Sequence, residues 1–209
     1  MADFSELDPD TRCFAHVGHF LQVWSEMEKS LHNALGAALQ IEEKKISILA
    51  ANMGFQIKTQ TLGALIDIAP GLDEDQKAAN IKMLSNLGKL AGQTRNIVAH
   101  NPFKPDGSSK GVEFFRVKAR GKFEQPITIW VPEDFTKHEG EVLRYQQGLD
   151  NMAQMFTQKP IPPEAFNAVP FVQTDWPMPQ RRTMSPALMA LQNQPVHVAL
   201  PGDSVERET

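Results

Sequence analysis

From residue 10 onward the apolar positions Phe14, Val17, Leu21, Trp24, Leu31, Leu35 and Ala38 recur at gaps built from three and four, with Glu28 occupying one place in the series. This 3.6-residue period predicts one long amphipathic helix, which Gly36 weakens without breaking. Residues 46–53, ahead of Gly54, form a second helical piece, and Ile57, Leu62, Leu65, Ile66 and Ile68 a third that Pro70-Gly71 closes. Asp73 then starts a helix as its N-cap, with Gln76 three residues on as in a capping box. The apolar face of that helix, Ile81, Leu84, Gly88 and Ala91, runs directly into the block Arg95-Asn96-Ile97-Val98-Ala99-His100.

After residue 103 the period changes from 3.6 to 2. Residues 104–110 read as a Pro/Gly/Ser-rich loop, and residues 112–120 and 127–131 as the two arms of a β-hairpin spanning about 111–131. A further helix covers 133–156. Beyond residue 159 prolines recur too closely for long regular elements, so 158–209 reads as an extended or disordered tail behind a folded body of 1–157. Within that tail Ser185 to Leu191 reads as a short capped helix able to dock on a partner protein. The fold class is mainly α, a helical bundle with an appended β-hairpin and a Pro-rich C-terminal tail.

Composition narrows the class. At 209 residues and 41% hydrophobic, the chain can bury one substantial core. Its one cysteine, Cys13, excludes an internal disulfide and fits a reducing compartment. The opening MADFSELDPD lacks the basic and apolar segments of a secretory leader, and no apolar run approaches the roughly 20 residues of a membrane helix. The expected location is the cytoplasm, away from membranes. A net charge of −4 argues against a surface coated with cations, so any charge that grips nucleic acid must be local.

The chemistry concentrates at Arg95, Asn96 and His100. On a helix, Asn96 and His100 stack as an i, i+4 pair with Arg95 on the flank. Histidine takes and gives protons near neutrality, and the arginine fork fits phosphate oxygens. An acid/base beside a phosphate clamp is what attack of an RNA 2′-hydroxyl on its own phosphodiester requires. A structural alternative stands beside this one. Arg95 and His100 can instead complement the helix dipole and bond the last carbonyls, with Asn101-Pro102 ending the helix.

The block Arg95 to His100 resembles the Arg-x4-6-His signature of the HEPN superfamily, the higher eukaryotes and prokaryotes nucleotide-binding domains, whose first variable position is usually polar, as Asn96 is. The long first helix with Phe20-Leu21-x-x-Trp24-x-x-Met27-Glu28-x-x-Leu31 is similar to that of small bacterial members, and the likeness covers residues 10–102. The resemblance implies an all-α domain that forms a homodimer with two motifs facing across a cleft. It also implies either a metal-independent endoribonuclease of a toxin or antiviral system, leaving 2′,3′-cyclic phosphate ends, or a non-catalytic dimer that binds RNA, a nucleotide or a partner protein. No cofactor and no metal are expected.

Further residues complete the expectation. Glu28, in an apolar stripe, needs a partner, and Arg95 or His100 is the candidate that would make Glu28 a site-orienting group; the alternative sets it at the stripe's solvated edge. Arg116, Lys118 and Arg120 alternate along the hairpin's first arm and so share a face. With Lys104 they are the candidate grip on an RNA backbone, the alternative being an ordinary solvated strand face; Phe115 or Trp130 could stack on a base, although each is more often a core residue of the hairpin. His16, His19 and His32 lack ligand spacing and read as histidines on the helix surface.

Overall fold

The computed structural model describes residues 4–167, apart from 117 and 120–122; for 118, 119, 123, 124 and 167 it describes the backbone alone. The 31-residue helix α1 (Pro9–Leu39) is the spine, about 46 Å long at 1.5 Å per residue. Asp8 caps it, its Oδ1 accepting from the Thr11 N–H at 3.1 Å, and Pro9 sits in the first turn, where its missing N–H costs nothing. It ends at Gln40, which adopts a left-handed conformation (φ 55°) while the Ile41 N–H closes on the Gly36 carbonyl at 2.9 Å. Gln40 is not glycine, and its Nε2 is held by the Ile161 carbonyl at 3.0 Å.

Short α2 (Glu43–Ala51) turns back against α1 at Gly36, where a Cβ would stand 3.2 Å from both the Ile41 carbonyl oxygen and Ile46 Cγ2. The glycine that looks like a weak point of α1 is the place where α2 approaches it. Helices α3 (Phe55–Asp67) and α4 (Glu74–Leu90) pack against each other, and α3 also packs on α1. Asp73 and Gln76 form the expected capping box, each side chain bonded to the other's backbone N–H. Helix α6 (Pro132–Gln158) lies along α1, the most extensive packing between elements among the described residues.

A three-stranded antiparallel sheet is appended, in the order β1 (Phe103–Pro105), β2 (Val112–Phe115), β5 (Ile127–Trp130). Strands β3 (Lys118–Ala119) and β4 (Phe123–Glu124) pair separately at the tip of the hairpin. The fold is therefore mainly α with a small sheet. The start of the expected 104–110 loop is instead a strand, Phe103 pairing with Phe114 and Pro105 with Val112. Proline fits there because β1 is an edge strand. The inner face of the sheet sends Val112, Phe114 and Trp130 onto α1 and α6, where Phe114, Trp130, Phe135 and Phe20 make edge-on and tilted ring contacts.

Two expectations about the core are corrected. The buried stripe of α1 is centred on Cys13, Val17, Phe20, Trp24, Met27, Leu31 and Ala34, leaving Phe14 66% exposed beside the Phe103 ring at 5.4 Å. The body also does not stop at 157. Ile161 is buried in the core and α7 (Pro163–Asn167) follows, because Lys159 and Ile161 pass against the α3–α4 turn and the end of α1. Residues 168–209, with the expected docking helix at 185–191, lie outside the described residues. Among the described residues no helix is long and apolar enough to cross a membrane.

Candidate functional site

The end of α4 is not a plain α-helix. Residues Ala91–Arg95 make a π-helical turn that passes without a break into α5 (Asn96–His100). The Asn96 N–H reaches back five residues to the Ala91 carbonyl, and the buried Thr94 hydroxyl donates to the Leu90 carbonyl at 2.8 Å. Such turns are rare and recur at functional sites. Here it delivers Arg95 as its last residue, while Thr94, Ile97 and Val98 anchor the segment in the core.

The motif residues meet at the surface. Arg95 Nη1 lies 2.6 Å from His100 Nε2 and 3.5 Å from Asn96 Oδ1, the second a weak contact. A guanidinium only donates, so the short contact is a hydrogen bond when Nε2 accepts and the ring's own proton sits on Nδ1. Asn96 and His100 are exposed and Arg95 is half-buried.

Neither Arg95 nor His100 caps the helix. Asn101 does, its Nδ2 donating to the Asn96 and Ile97 carbonyls at 3.0 and 2.8 Å, and its extended backbone (φ −115°, ψ 142°) satisfies the restriction that Pro102 imposes. The structural role open to the arginine and histidine is filled by a neighbour, and their polar atoms face each other and solvent. His100 and Asn96 also border a groove of about 360 Å³ with Asn101, Pro102, Phe115 and Arg116, which brings the start of the sheet to the motif.

The remaining candidates separate. Arg116 shares the groove with His100. Lys104 is answered by Glu113 at 3.1 Å and lies over the Phe115 ring, 5.4 Å from its centroid, so its charge is partly spent within the sheet. The side chains of Lys118 and Arg120 lie outside the described residues. Of the two rings, Trp130 is buried among Phe20, Phe114 and Phe135, whereas Phe115 borders the groove.

Glu28 does not reach the motif. Its Oε1 accepts from Lys58 Nζ of α3 at 2.7 Å, and Lys58 is 5% exposed. The stripe position did demand a partner, but the helix that crosses α1 there is α3, and the expected pairing with Arg95 or His100 gives way to a structural ion pair. The histidines of α1 differ from the expected free surface groups in degree, His19 remaining about a third exposed. His16 is buried, His19 is bonded to Glu139 at 2.8 Å, and His32 Nε2 is buried with no hydrogen-bond partner. Among the described residues no three His, Cys, Asp or Glu side chains are placed to hold a metal ion.

Sequence reasoning missed Lys58, the π turn and the side chain that caps α5. For the last, the stop at Asn101-Pro102 was read from the sequence, but not that the Asn101 side chain takes the final carbonyls. No family model matches this chain, and no curated protein and no solved structure matches it either.

Proposed function

We propose that the chain is a HEPN-like endoribonuclease that cleaves RNA without a metal, through Arg95, Asn96 and His100. One observation carries the reading. The arginine and histidine are relieved of capping by Asn101 and stand 2.6 Å apart at the surface, and the histidine, with Asn96, borders a groove walled by a ring and a second cation. A pair with no structural task, made of the two side chains that phosphodiester cleavage needs, is better explained by chemistry than by packing.

In the free protein the Arg95 guanidinium occupies His100 Nε2. A scissile phosphate in the groove gives the guanidinium a bidentate partner and releases that nitrogen as a base. His100 takes the 2′-hydroxyl proton while the 2′-oxygen bonds to phosphorus and the bond to the 5′-oxygen breaks. The products are a 2′,3′-cyclic phosphate and a 5′-hydroxyl. Arg95 stabilises the charge that builds on the non-bridging oxygens, and Asn96 holds the guanidinium or the phosphate. The leaving oxygen needs a proton as the 2′-oxygen loses one, and a second His100 from a homodimer partner supplies it. Phe14, exposed against Phe103 three residues past the motif, forms an apolar patch suited to cover by that second copy. Arg116 takes a neighbouring phosphate and Phe115 a base.

The test is cleavage of a mixed RNA pool in EDTA by the wild-type chain and by His100→Ala and Arg95→Ala variants of equal oligomeric state. Cleavage by wild type, reduced about a hundredfold or more in each variant, supports the reading. Equal cleavage by all three proteins, or none above background, refutes it. A cytoplasmic toxin or defence role and a protein partner for the C-terminal tail belong to the same proposal.

A further inference from the structure

A second concentration of polar chemistry lies between the N-terminal halves of α1 and α6. Arg12, His16 and His19 follow one another at steps of four and three, so they share one face of α1. Helix α6 brings Phe135 and Glu139 to that face, the N-terminal segment brings Phe4, and the loop between β1 and β2 brings Lys110. Together they line a partly open pocket of about 180 Å³. At roughly 30 Å³ per water, the space suits about six waters, or an organic molecule with about that many heavy atoms.

His16 brings an unbonded imidazole to this space. It is 8% exposed, stacked on Phe135 at 4.9 Å and met edge-on by Phe4 at 5.1 Å, and among the described residues no hydrogen bond satisfies its ring nitrogens. Burial pushes its pKa down, which keeps the ring neutral with one donor and one acceptor nitrogen. Its ring nitrogens are not sealed in the core and so reach the pocket, where a ligand can bond them.

The charges around it favour an anion. Lys110 makes no ion pair among the described residues, and Arg12 gives its Nη1 to the Leu7 carbonyl at 2.9 Å rather than to a carboxylate. The acid at the cavity, Glu139, is already answered by His19 Nδ1 at 2.8 Å, which leaves His19 Nε2 for another partner. The loop that carries Lys110 is held in place, with Asp106 accepting from the Ser108 N–H and hydroxyl and the Asp106 N–H donating to the Gly111 carbonyl.

We propose that this cavity binds a small organic oxyanion, its charged end taken by Arg12, Lys110 and the imidazoles of His16 and His19, its apolar end laid against Phe4, Pro132 and Phe135. The site is separate from the Arg95–His100 groove and does not depend on the ribonuclease reading. Carboxylate and phosphate monoester share the required chemistry, and the test distinguishes them.

The experiment titrates the full chain, with ¹⁵N-labelled histidine, with methyl phosphate, with propionate and with 1-propanol as the uncharged counterpart, following each imidazole by NMR. The expected result is a saturable shift of His16 and His19 with at least one anion, no saturation with propanol, and His100 following a different curve. An Arg12→Gln/Lys110→Gln variant, folded by circular dichroism, weakens that binding about tenfold or more. Saturation by one anion alone names the oxyanion. Shifts that stay linear with concentration for both anions, saturation by propanol, or unchanged binding in the double variant overturns the proposal.

Discussion

Replacing Glu28 with leucine removes the acceptor that Lys58 Nζ meets at 2.7 Å and leaves a lysine side chain that is 6% exposed with its charge unanswered. Breaking a fully buried pair in this way costs about 3–5 kcal/mol. The Glu28 side chain is 28% exposed, so water softens the loss, and about 2–3 kcal/mol is expected. For a body of this size that lowers Tm by roughly 5–10 °C. The partner experiment removes both charges. A Glu28→Leu/Lys58→Met chain has no orphaned ion and should lie within about 1 kcal/mol of wild type, a coupling energy of about 2 kcal/mol. Urea unfolding of the four proteins gives the cycle, and unchanged m-values show that only native stability moved. RNA cleavage by the single variant, at a temperature where it is folded, should equal wild type, because Glu28 bonds Lys58 and not the motif residues. A single variant within about 0.5 kcal/mol of wild type, or a double variant that loses as much as the two singles together, refutes the buried-pair argument. Lost cleavage in a fully folded Glu28→Leu chain would restore Glu28 to the site.

Three other outcomes follow from the same geometry. Asn101→Ala frees the Asn96 and Ile97 carbonyls, so stability should fall by about 1 kcal/mol while cleavage by the folded variant falls tenfold or more, since the end of α5 that holds His100 is loosened; equal cleavage would detach the cap from the site. Burial lowers the pKa of both His16 and His32 from 6.5, so the unfolded chain binds protons more readily. Their stabilising contribution is present above about pH 6.5 and lost as pH falls below it, and the wild-type stability curve minus that of His32→Leu should rise with pH across that range; a flat difference refutes the assignment. Cys13, 2% exposed with its thiol pushed by burial to about 11, should react with a disulfide reagent at pH 8 only as fast as the chain unfolds, and rapid labelling of the native protein would contradict its place in the core.

Helix α4 and its capping box were legible because Asp73 and Gln76 carry a local signal that needs no tertiary partner. The face of α1 was less so. Apolar residues cover more than one side of that helix, and the period alone does not distinguish the Phe14–Leu21 line from the Cys13–Phe20–Met27 line that the sheet and α6 bury. Strand β1 was hidden for a related reason, since three residues ending in proline become a strand only when β2 supplies their ladder. The motif itself was read directly from the chain, whereas its groove needed the fold: Phe115 and Arg116 follow His100 by fifteen and sixteen residues and return to it through the sheet. Glu28 marks the limit. Periodicity singled out a carboxylate in an apolar stripe, but its partner depends on which helix crosses α1 at that level, and that is a property of packing.

In the proposed reaction Arg95 and His100 direct an RNA's own 2′-hydroxyl onto its phosphate. The most direct test of this step is mass analysis of the ends produced, in EDTA, from an RNA oligonucleotide and from the same sequence with a 2′-deoxy sugar at the cleaved position, by wild type and by His100→Ala. Cyclic-phosphate ends from the RNA with wild type, no cut at the deoxy position, and loss of cleavage in the variant are the results expected. A cut at the deoxy position, or ends that lack the cyclic phosphate while His100→Ala remains active, would contradict it.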